Sequence, residues 1–173
     1  ARSRGCGILH IRREDFSFGR SLNLGCAAAT GNTLVFVSGH CLPSTGTWLE
    51  RLIRPIERGE ASVTYGRQRG GETTLFSEHQ IFLKYFPRAD TNRPNKFFCN
   101  NANAAIDRNT WARYLFDESL TGLEDLHLAK RAVDDGLLVR YVPEAEVFHY
   151  HNETWSQLRR RFEREARARR SIT

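Results

Sequence analysis

Two adjacent carboxylates stand at the start of a predicted helix. Glu124 and Asp125 follow Gly122 and Leu123, and apolar residues recur after them at helical spacing. Neighbouring side chains at a helix start point in different directions, so one carboxylate could face a cleft while the other caps the helix. Both could instead only complement the helix dipole, which stabilises a helix by about 0.3–1 kcal/mol per charge.

Three histidines could bind a metal or a phosphate. His149 and His151 are two residues apart in a predicted strand, which places them on one face of it. His40, in Ser38-Gly39-His40, follows a continuous apolar strand, and ligands of open α/β sheets collect beyond the ends of strands. Imidazole nitrogen is a common metal ligand. The alternatives are a buried hydrogen-bonded histidine, a surface histidine and a turn residue.

A further polar group could bind sugar hydroxyls or a phosphate. Tyr65, Arg67 and Gln68 combine an aromatic ring, a guanidinium and an amide at the predicted exit of a strand. Asn101 is a polar candidate at the end of another predicted strand. An ordinary solvated loop is the alternative for the first group.

Strands and helices must alternate to position these candidates. Short apolar or β-branched runs predict strands at residues 7–11, 33–37, 61–65, 97–101, 104–106, 138–142 and 146–149. Helical spacing predicts helices at residues 20–30, 48–56, 75–86, 109–115, 124–134 and 153–170, and loops at 66–74 and 88–96. The alternation predicts an α/β fold with a largely parallel sheet, and residues 33–37 as a buried strand.

The charge and the cysteines limit the classes of function. Residues 158–170 hold seven arginines and two glutamates, which leaves the rest of this +6 chain nearly neutral, so we expect no nucleic-acid partner. An arginine tail that binds phosphates is the alternative. The four cysteines are widely spaced, which predicts reduced, mostly buried thiols rather than a zinc site. Without a membrane-length apolar run or a signal peptide, we expect a cytoplasmic protein.

The order of several motifs resembles the family 2 glycosyltransferases of the GT-A fold, over residues 7–154. The segments similar to the family's R-x-x-N-x-G helix and A-x-G turn are Arg20-Ser21-Leu22-Asn23-Leu24-Gly25 and Ala29-Thr30-Gly31. Those similar to its F-D-E, G-x-E-D and closing-strand motifs are Phe116-Asp117-Glu118, Gly122-Leu123-Glu124-Asp125, and Tyr141-Val142-Pro143 with His149.

The resemblance implies a GT-A-like (Rossmann-like) mixed, mostly parallel sheet with flanking helices. It also implies an inverting transfer of a hexosyl group from a nucleotide-sugar to a glycan or lipid-linked acceptor, with Asp125 as the general base and Glu124 supporting the acceptor or the helix start. The implied donor diphosphate or metal region is Ser38, His40, His149 and His151, and the implied acceptor site is Tyr65, Arg67, Gln68 and Asn101. The pattern is most similar to bacterial surface-polysaccharide transferases, including rhamnosyltransferase-like members.

The chain departs from this family at the metal motif. Ser38-Gly39-His40 stands where the family has D-x-D, so both carboxylates are absent. His40 and His149 could still bind Mn²⁺ or Mg²⁺, although imidazoles suit these ions less well than carboxylates do. Histidines and arginines could alternatively stabilise the diphosphate directly, which leaves metal dependence open.

The family's first strands, with the P-x-x-N and D-G-S motifs that hold base and ribose, have no counterpart in the sequence. We therefore predict a partial GT-A domain at residues 1–152 without the first nucleotide-binding strands, and a basic amphipathic helix at residues 153–173. This chain alone is expected to transfer little or no sugar. A non-catalytic scaffold of the same fold is the alternative function.

The terminal helix has two open interpretations. Trp155, Leu158, Phe162 and Ala166 form an apolar stripe among arginines. The stripe could pack on the domain, or it could lie on an anionic membrane surface, which would place the protein peripherally at the inner face of the membrane.

Overall fold

Strands and helices alternate along the chain in the computed structural model, which describes residues 5–89, 97–151 and 153–172. The strands are β1 (Thr33–Val37), β2 (Cys41–Pro43), β3 (Val63–Arg69), β4 (Asn103–Asp107) and β5 (Val139–His149). The helices are α1 (Phe18–Ala28), α2 (Trp48–Glu57), α3 (Phe76–Tyr85), α4 (Arg108–Tyr114), α5 (Glu124–Asp134) and α6 (Trp155–Ile172). The strands form one sheet in the order β1-β4-β3-β5-β2, which confirms the predicted α/β fold with a mixed sheet.

The strand directions differ from the prediction. Of the four pairings between these strands, β3 with β5 is parallel, whereas β1–β4, β3–β4 and β2–β5 are antiparallel. The connection through α3 returns the chain to the end of the sheet at which β3 leaves it, so β4 enters between β1 and β3 in the opposite direction. The predicted predominance of parallel pairing is therefore wrong, because alternation along the sequence does not fix direction.

The two faces of the sheet are covered by different helices. On one face Leu52 of α2 packs against Ala105, Val142 and Ala145. The larger core on the other face combines side chains of α1, α3, α4 and α5 with those of the three central strands; its members include Cys26, Val63, Tyr65, Phe82, Ala104, Ile106, Tyr114, Leu128 and Tyr141. Neighbouring residues of β4 point to opposite faces, as the alternation of a strand requires.

The central strands approach one another closely at Gly66. A Cβ atom there would lie 2.1 Å from the carbonyl oxygen of Ala145 and 2.3 Å from Nδ2 of Asn103. The buried Asn103 amide donates to the carbonyls of Ala145 (2.8 Å) and Arg67 (3.1 Å). Its oxygen accepts from the indole N–H of Trp48 at 2.9 Å. One side chain thus ties β4 to β3, β5 and α2.

Several predicted elements are wrong. Residues 7–11 and 97–101 form no strand, and residues 66–69, predicted as a loop, belong to β3. The two strands predicted at 138–142 and 146–149 are one strand, β5, and the strand β2 was not predicted. In β1, Leu34 is buried while Val35 and Val37 are exposed, because β1 lies at an edge of the sheet. Most of the predicted 88–96 loop lies outside the described residues.

Other predictions hold more closely. Helix α5 has the predicted bounds, and α1 begins two residues early because the Ser17 hydroxyl caps it by accepting from the Arg20 N–H at 3.1 Å. Of the four free cysteines, Cys26 and Cys99 are buried, Cys41 is half-buried and Cys6 is exposed, so the expected burial holds for half of them.

Helix α6 does not pack through the predicted stripe. Ile172, near its end, packs with Leu120 and Leu126, whereas Trp155 is 74% exposed and Phe162 is 44% exposed. The interpretation that this stripe packs on the domain is therefore wrong for these two aromatic residues. None of the helices in the described part of the chain is both long and apolar enough to cross a bilayer.

Asn23, in the segment that resembles the R-x-x-N-x-G motif, fastens α1 to the segment before α5. Its Nδ2 donates to the Phe116 carbonyl (2.9 Å) and to Glu118 (3.1 Å). Its Oδ1 accepts from the Phe116 N–H (3.0 Å) and the Trp111 indole (3.1 Å). Four hydrogen bonds at one half-buried amide give this residue a structural role.

We predict that Asn23→Ala lowers the free energy of unfolding by about 2–3 kcal/mol, because several partners lose their hydrogen bonds together. Urea denaturation followed by circular dichroism measures the change. Asn32→Ala, at an exposed position in the turn before β1, is the matched control and should change stability by less than about 0.5 kcal/mol. Equal effects of the two substitutions would contradict this role.

Candidate functional site

One cavity of about 1060 Å³ brings together most of the predicted site residues. The predicted residues in its lining are Ser38, His40, Gln68, Asn101, Glu124, Asp125, His149 and His151. Helix α6 contributes to the same cavity, through Arg161, Phe162, Arg164 and Glu165 among others. The carboxylates and the imidazoles therefore share one site, although His40 is more than 80 residues from Glu124 and Asp125 in the sequence.

The carboxylates reach the cavity from the first turn of α5. Leu123 precedes the helix with φ 63°, in the left-handed region, and Glu124 follows as its first residue. Asp125 accepts two backbone hydrogen bonds, from Asn101 N–H to Oδ2 and from Leu126 N–H to Oδ1, both at 2.7 Å. These bonds fix the orientation of the Asp125 carboxylate.

Glu124, in contrast to Asp125, has a buried carboxylate oxygen, Oε1, without a hydrogen-bond partner in the described chain. The residue is 7% exposed. Burial raises the pKa of Glu124 to about 7, the Asp125 charge adds to the rise and Arg164 opposes it. Burial also raises the pKa of Asp125, against the lowering effect of its backbone hydrogen bonds. Carboxylates with raised pKa values in a cavity are suited to proton transfer near neutral pH.

The histidines meet because two strand ends lie side by side. His149 ends β5 and pairs with Cys41 of β2, and the Tyr150 N–H donates to the His40 carbonyl at 3.1 Å. The ring centroids of His40 and His149 are 4.8 Å apart, and those of His149 and His151 are 4.2 Å apart. One nitrogen of each of the three rings lies within 4.8 Å of the others. We call these three residues the imidazole cluster.

A hydrogen bond to Gln68 fixes the tautomer of His149. His149 Nδ1 lies 2.7 Å from the Gln68 amide oxygen, which can only accept, so Nδ1 carries the proton. The Asn100 Oδ1 atom fixes the orientation of that amide by accepting from Gln68 Nε2 at 3.0 Å and from the Ala102 N–H at 3.0 Å. The remaining His149 nitrogen, Nε2, is buried and unpartnered within the described chain.

Two members of the imidazole cluster have lowered pKa values. Burial, together with the neighbouring His151 and His40, lowers the pKa of His149 to about 3. Burial is also the first cause of the lowered pKa of His40. Neutral imidazoles with a free nitrogen lone pair are competent metal ligands.

Two of the predicted acceptor-binding residues lie elsewhere. Tyr65 is buried in the core, where its ring contacts Tyr141 and Phe98. Arg67 forms an ion pair with Glu146 in the middle of β3. The prediction placed both at a strand exit, but β3 continues to Arg69, so they occupy the sheet and not its end. Gln68 does reach the cavity, where it binds His149.

Sequence reasoning missed Glu78 and the arginines of α6. Glu78, on α3, is buried and its Oε1 lies 2.8 Å from Nδ1 of His151. Arg161 lies 2.7 Å from Glu153 and 3.8 Å from Glu78, which holds α6 against the site. No local pattern marked Glu78, because a single glutamate on a helix is ordinary and only the fold places it beside a histidine.

Comparisons with known proteins give a family and a fold. The family model of glycosyl transferase family 2 matches residues 2–114, and no curated protein matches the chain. The chain is similar to a mannosyltransferase from Pyrobaculum calidifontis in complex with GDP-Man and Mn²⁺, with TM-score 0.66, 16% identity and coverage of 91% of this chain and 41% of that one. It is also similar to GalNAc-T7 with UDP, GalNAc and Mn²⁺, with TM-score 0.58, 18% identity and coverage of 80% and 31%.

A third similar structure is glucosyl-3-phosphoglycerate synthase from Mycobacterium tuberculosis in complex with phosphoglyceric acid. Its TM-score is 0.54 at 18% identity, and the match covers 87% of this chain and 51% of that one. At these identities the likeness shows the fold alone. The chain spans between 31% and 51% of the length of the three structures.

The imidazole cluster could hold a divalent cation, the kind of ion present in two of these structures. The donors fit a cation in number, because three imidazoles converge and the buried His149 Nε2 atom has no other partner in the described residues. They differ from the carboxylates and water that Mn²⁺ and Mg²⁺ prefer.

We predict that Glu124 makes stability fall as pH rises. Its folded pKa of about 7 lies above its ordinary value of 4.5, so the folded state binds the proton more tightly. The contribution of Glu124 to the free energy of unfolding is fully present below about pH 4.5 and is lost as pH rises to about 7, a decrease of roughly 2–4 kcal/mol. Urea unfolding of the parent chain and of Glu124→Gln between pH 5 and 8 measures this decrease.

In that experiment, Glu124→Gln should become more stable relative to the parent chain as pH rises, measured as the difference between their unfolding free energies. The control is Glu72→Gln, at an exposed position before α3, whose unfolding free energy is measured over the same pH range. Parallel pH profiles for the parent and Glu124→Gln would show that Glu124 does not titrate in this range.

Proposed function

Because this chain belongs to glycosyl transferase family 2, we propose that it forms the acceptor side of an inverting sugar transfer from a nucleotide-sugar. The observation that carries the proposal is the carboxylate pair at the start of α5, which lines one cavity together with the imidazole cluster. An acceptor hydroxyl and a departing diphosphate require these two kinds of groups, a base and a charge-stabilising region, on either side of the sugar.

Asp125 is the proposed general base. It accepts the proton of the acceptor hydroxyl while that oxygen forms a bond to the anomeric carbon and the bond from that carbon to the diphosphate breaks. The N–H groups of Asn101 and Leu126 hold the carboxylate in one orientation and leave lone pairs on both oxygens for the acceptor. Inversion follows because attack and departure take place on opposite sides of the carbon.

Glu124 is the proposed acceptor-orienting residue. Its buried Oε1 atom, unpartnered in the described chain, can accept a hydrogen bond from a second hydroxyl of the acceptor. The burial of an unpaired polar atom costs about 1–3 kcal/mol, which such a bond would recover. The main-chain and side-chain groups of Asn101 complete this side of the cavity, since its buried Nδ2 atom also lacks a partner within the described residues.

The departing diphosphate is proposed to lie at the imidazole cluster, beside Ser38. A divalent cation bound there would neutralise the negative charge that develops on the leaving group. Arg161 and Arg164 line the same cavity and add positive charge. The mannosyltransferase structure contains GDP-Man and the GalNAc-T7 structure contains UDP, so the likenesses leave the donor nucleotide open.

The finer assignments are also proposals. The motif resemblance favours a hexosyl or rhamnosyl transfer in the synthesis of a bacterial surface polysaccharide. We expect this chain alone to transfer little sugar, because it spans less than half of the mannosyltransferase and about half of the glucosyl-3-phosphoglycerate synthase. A scaffold without catalysis is the second candidate, favoured by the lost D-x-D carboxylates at Ser38-Gly39-His40.

We predict that Asp125→Asn lowers the rate of transfer by about 10²–10⁴-fold, the usual contribution of a general base. Nucleoside diphosphate release from a donor panel measures the rate, with this chain and with any longer protein that contains it. Asp134→Asn is the matched control on the same helix, since Asp134 is exposed and pairs only with Lys130 among the described residues. Undiminished release by a folded Asp125→Asn protein would remove Asp125 as the base.

Helix α6 is proposed to bind an anionic membrane surface, near a lipid-linked acceptor. The exposed Trp155 and Phe162 side chains lie on the helix that carries seven arginines, a combination typical of interfacial helices. The arrangement would place the cavity, which α6 also lines, close to the lipid.

We predict that the chain sediments with vesicles containing phosphatidylglycerol and does so at least about 10-fold less with neutral phosphatidylcholine vesicles. Trp155→Ser with Phe162→Ser should reduce binding to the anionic vesicles. The control is Phe76→Ser on α3, because Phe76 is 78% exposed but is far from the arginines in sequence. Binding that Phe76→Ser weakens equally would indicate unspecific adhesion of apolar residues.

A further inference from the structure

We propose that the imidazole cluster is a nitrogen-only metal site that selects Zn²⁺, Co²⁺ or Ni²⁺ over Mn²⁺ and Mg²⁺. We further infer that Gln68 and Glu78 are positioning residues of this site. The inference concerns binding by His40, His149 and His151, and it holds whether or not the protein transfers sugar. It departs from the two similar structures that contain Mn²⁺.

The donor set is the first argument. Each histidine offers one nitrogen, and these atoms lie within 4.8 Å of one another, close enough for a single cation to contact all three. The His149 ring is 6% exposed, and its Nε2 atom has no hydrogen-bond partner in the described part of the chain. A buried nitrogen without a partner costs stability, and a bound cation removes that cost.

The nearby carboxylates are occupied by other partners. Glu78, His151 and Glu153 also lie within metal-ligand reach of one another. The Arg161 guanidinium, however, lies 2.7 Å from Glu153 and 3.8 Å from Glu78, which places a fixed positive charge where a second cation would have to bind. The nitrogen cluster is therefore the better of the two positions.

Two hydrogen bonds prepare the cluster for a metal. The Gln68 amide oxygen accepts from Nδ1 of His149, and the Glu78 carboxylate lies 2.8 Å from Nδ1 of His151. Both contacts leave Nε2 as the nitrogen with a lone pair, and the Glu78 carboxylate fixes the orientation of the His151 ring. Because Gln68 is itself held by Asn100, the His149 ring is oriented before any metal binds.

The chemistry of the donors sets the selectivity. Imidazole nitrogen suits Zn²⁺, Co²⁺ and Ni²⁺, whereas Mg²⁺ and Mn²⁺ prefer carboxylate, carbonyl and water oxygens. Three protein ligands leave a further coordination position open, as in metal sites that bind a substrate. The replacement of carboxylates by His40 therefore changes which cation is bound rather than abolishing the site.

Calorimetric titration of the metal-free, tag-free chain with Co²⁺, Zn²⁺, Mn²⁺ and Mg²⁺ tests the inference. Co²⁺ also reports its coordination through visible absorption, and Mn²⁺ binding is followed by electron paramagnetic resonance. We expect Co²⁺ and Zn²⁺ to bind on the order of 10³-fold or more tightly than Mn²⁺. His40→Ala should lower the Co²⁺ affinity by at least about 10-fold, whereas His10→Ala, at an exposed histidine outside the cluster, should not change it.

Most metal sites bind Co²⁺ more tightly than Mn²⁺, so the sharper test is His40→Asp. This variant restores one carboxylate, and we expect it to narrow the ratio of Co²⁺ to Mn²⁺ affinity by about 10-fold or more. Cys6→Ser and Cys41→Ser control for binding by thiols, which lie outside the cluster. An unchanged ratio in His40→Asp, or Co²⁺ affinity that depends on the cysteines, would overturn the inference.

The positioning roles are tested at Gln68. Gln68→Leu should lower the Co²⁺ affinity by about 10–100-fold and alter the Co²⁺ absorption spectrum, because the His149 ring loses its orientation. Gln68→Glu keeps an acceptor for Nδ1 and should restore the affinity and the spectrum. If Gln68→Glu is as weak as Gln68→Leu while both remain folded, Gln68 has no positioning role. Tight Co²⁺ binding by a longer protein that contains this chain, with no sugar transfer by that protein, would refute the proposed function and leave the metal site intact.

Discussion

The close approach of β3, β4 and β5 at Gly66 is the constraint on which the site depends. Only a residue without a side chain leaves room there for the Asn103 amide, which bonds the carbonyls of Ala145 and Arg67. Beyond this point the register of β3 against β5 shifts. Gly66 pairs with Val142, but Gln68 pairs with Val147 rather than with Glu144, which an unshifted register would place opposite it. That shift brings the Gln68 side chain to the histidines at the end of β5.

The cavity combines two electrostatic environments. At one side a helix start presents carboxylates whose pKa values are raised by burial, and at the other the strand ends present imidazoles whose pKa values are lowered by burial. Burial therefore favours the neutral form of both kinds of group, and each has a lone pair or a proton available for a ligand. The guanidinium groups of α6 supply the permanent positive charge in the lining.

Sequence reasoning predicted the features that depend on interactions within a few residues and missed those that depend on pairing between distant strands. Helix α5 and the adjacent Glu124 and Asp125 were predictable, because spacing and dipole effects act within a few residues. The proximity of His149 and His151 was predictable because they are two residues apart, but the prediction that both lie on a strand is wrong for His151, since β5 ends at His149. The misplacement of Tyr65 and Arg67 came from the end of β3, since the sequence after Tyr65 is rich in glycine and arginine and resembles a loop. Pairing with β5 makes it a strand.

The sequence by itself determined the alternation of helices and strands, the location of the basic residues at the end of the chain, and the replacement of carboxylates by Ser38-Gly39-His40. The order of its motifs also indicated the family. Only the tertiary structure decided the strand directions, the exposure of Trp155, and the meeting of His40 with His149 and His151. The physical reason is that these features depend on contacts between segments distant in the sequence, such as the bond from Tyr150 to the His40 carbonyl, which no local pattern encodes.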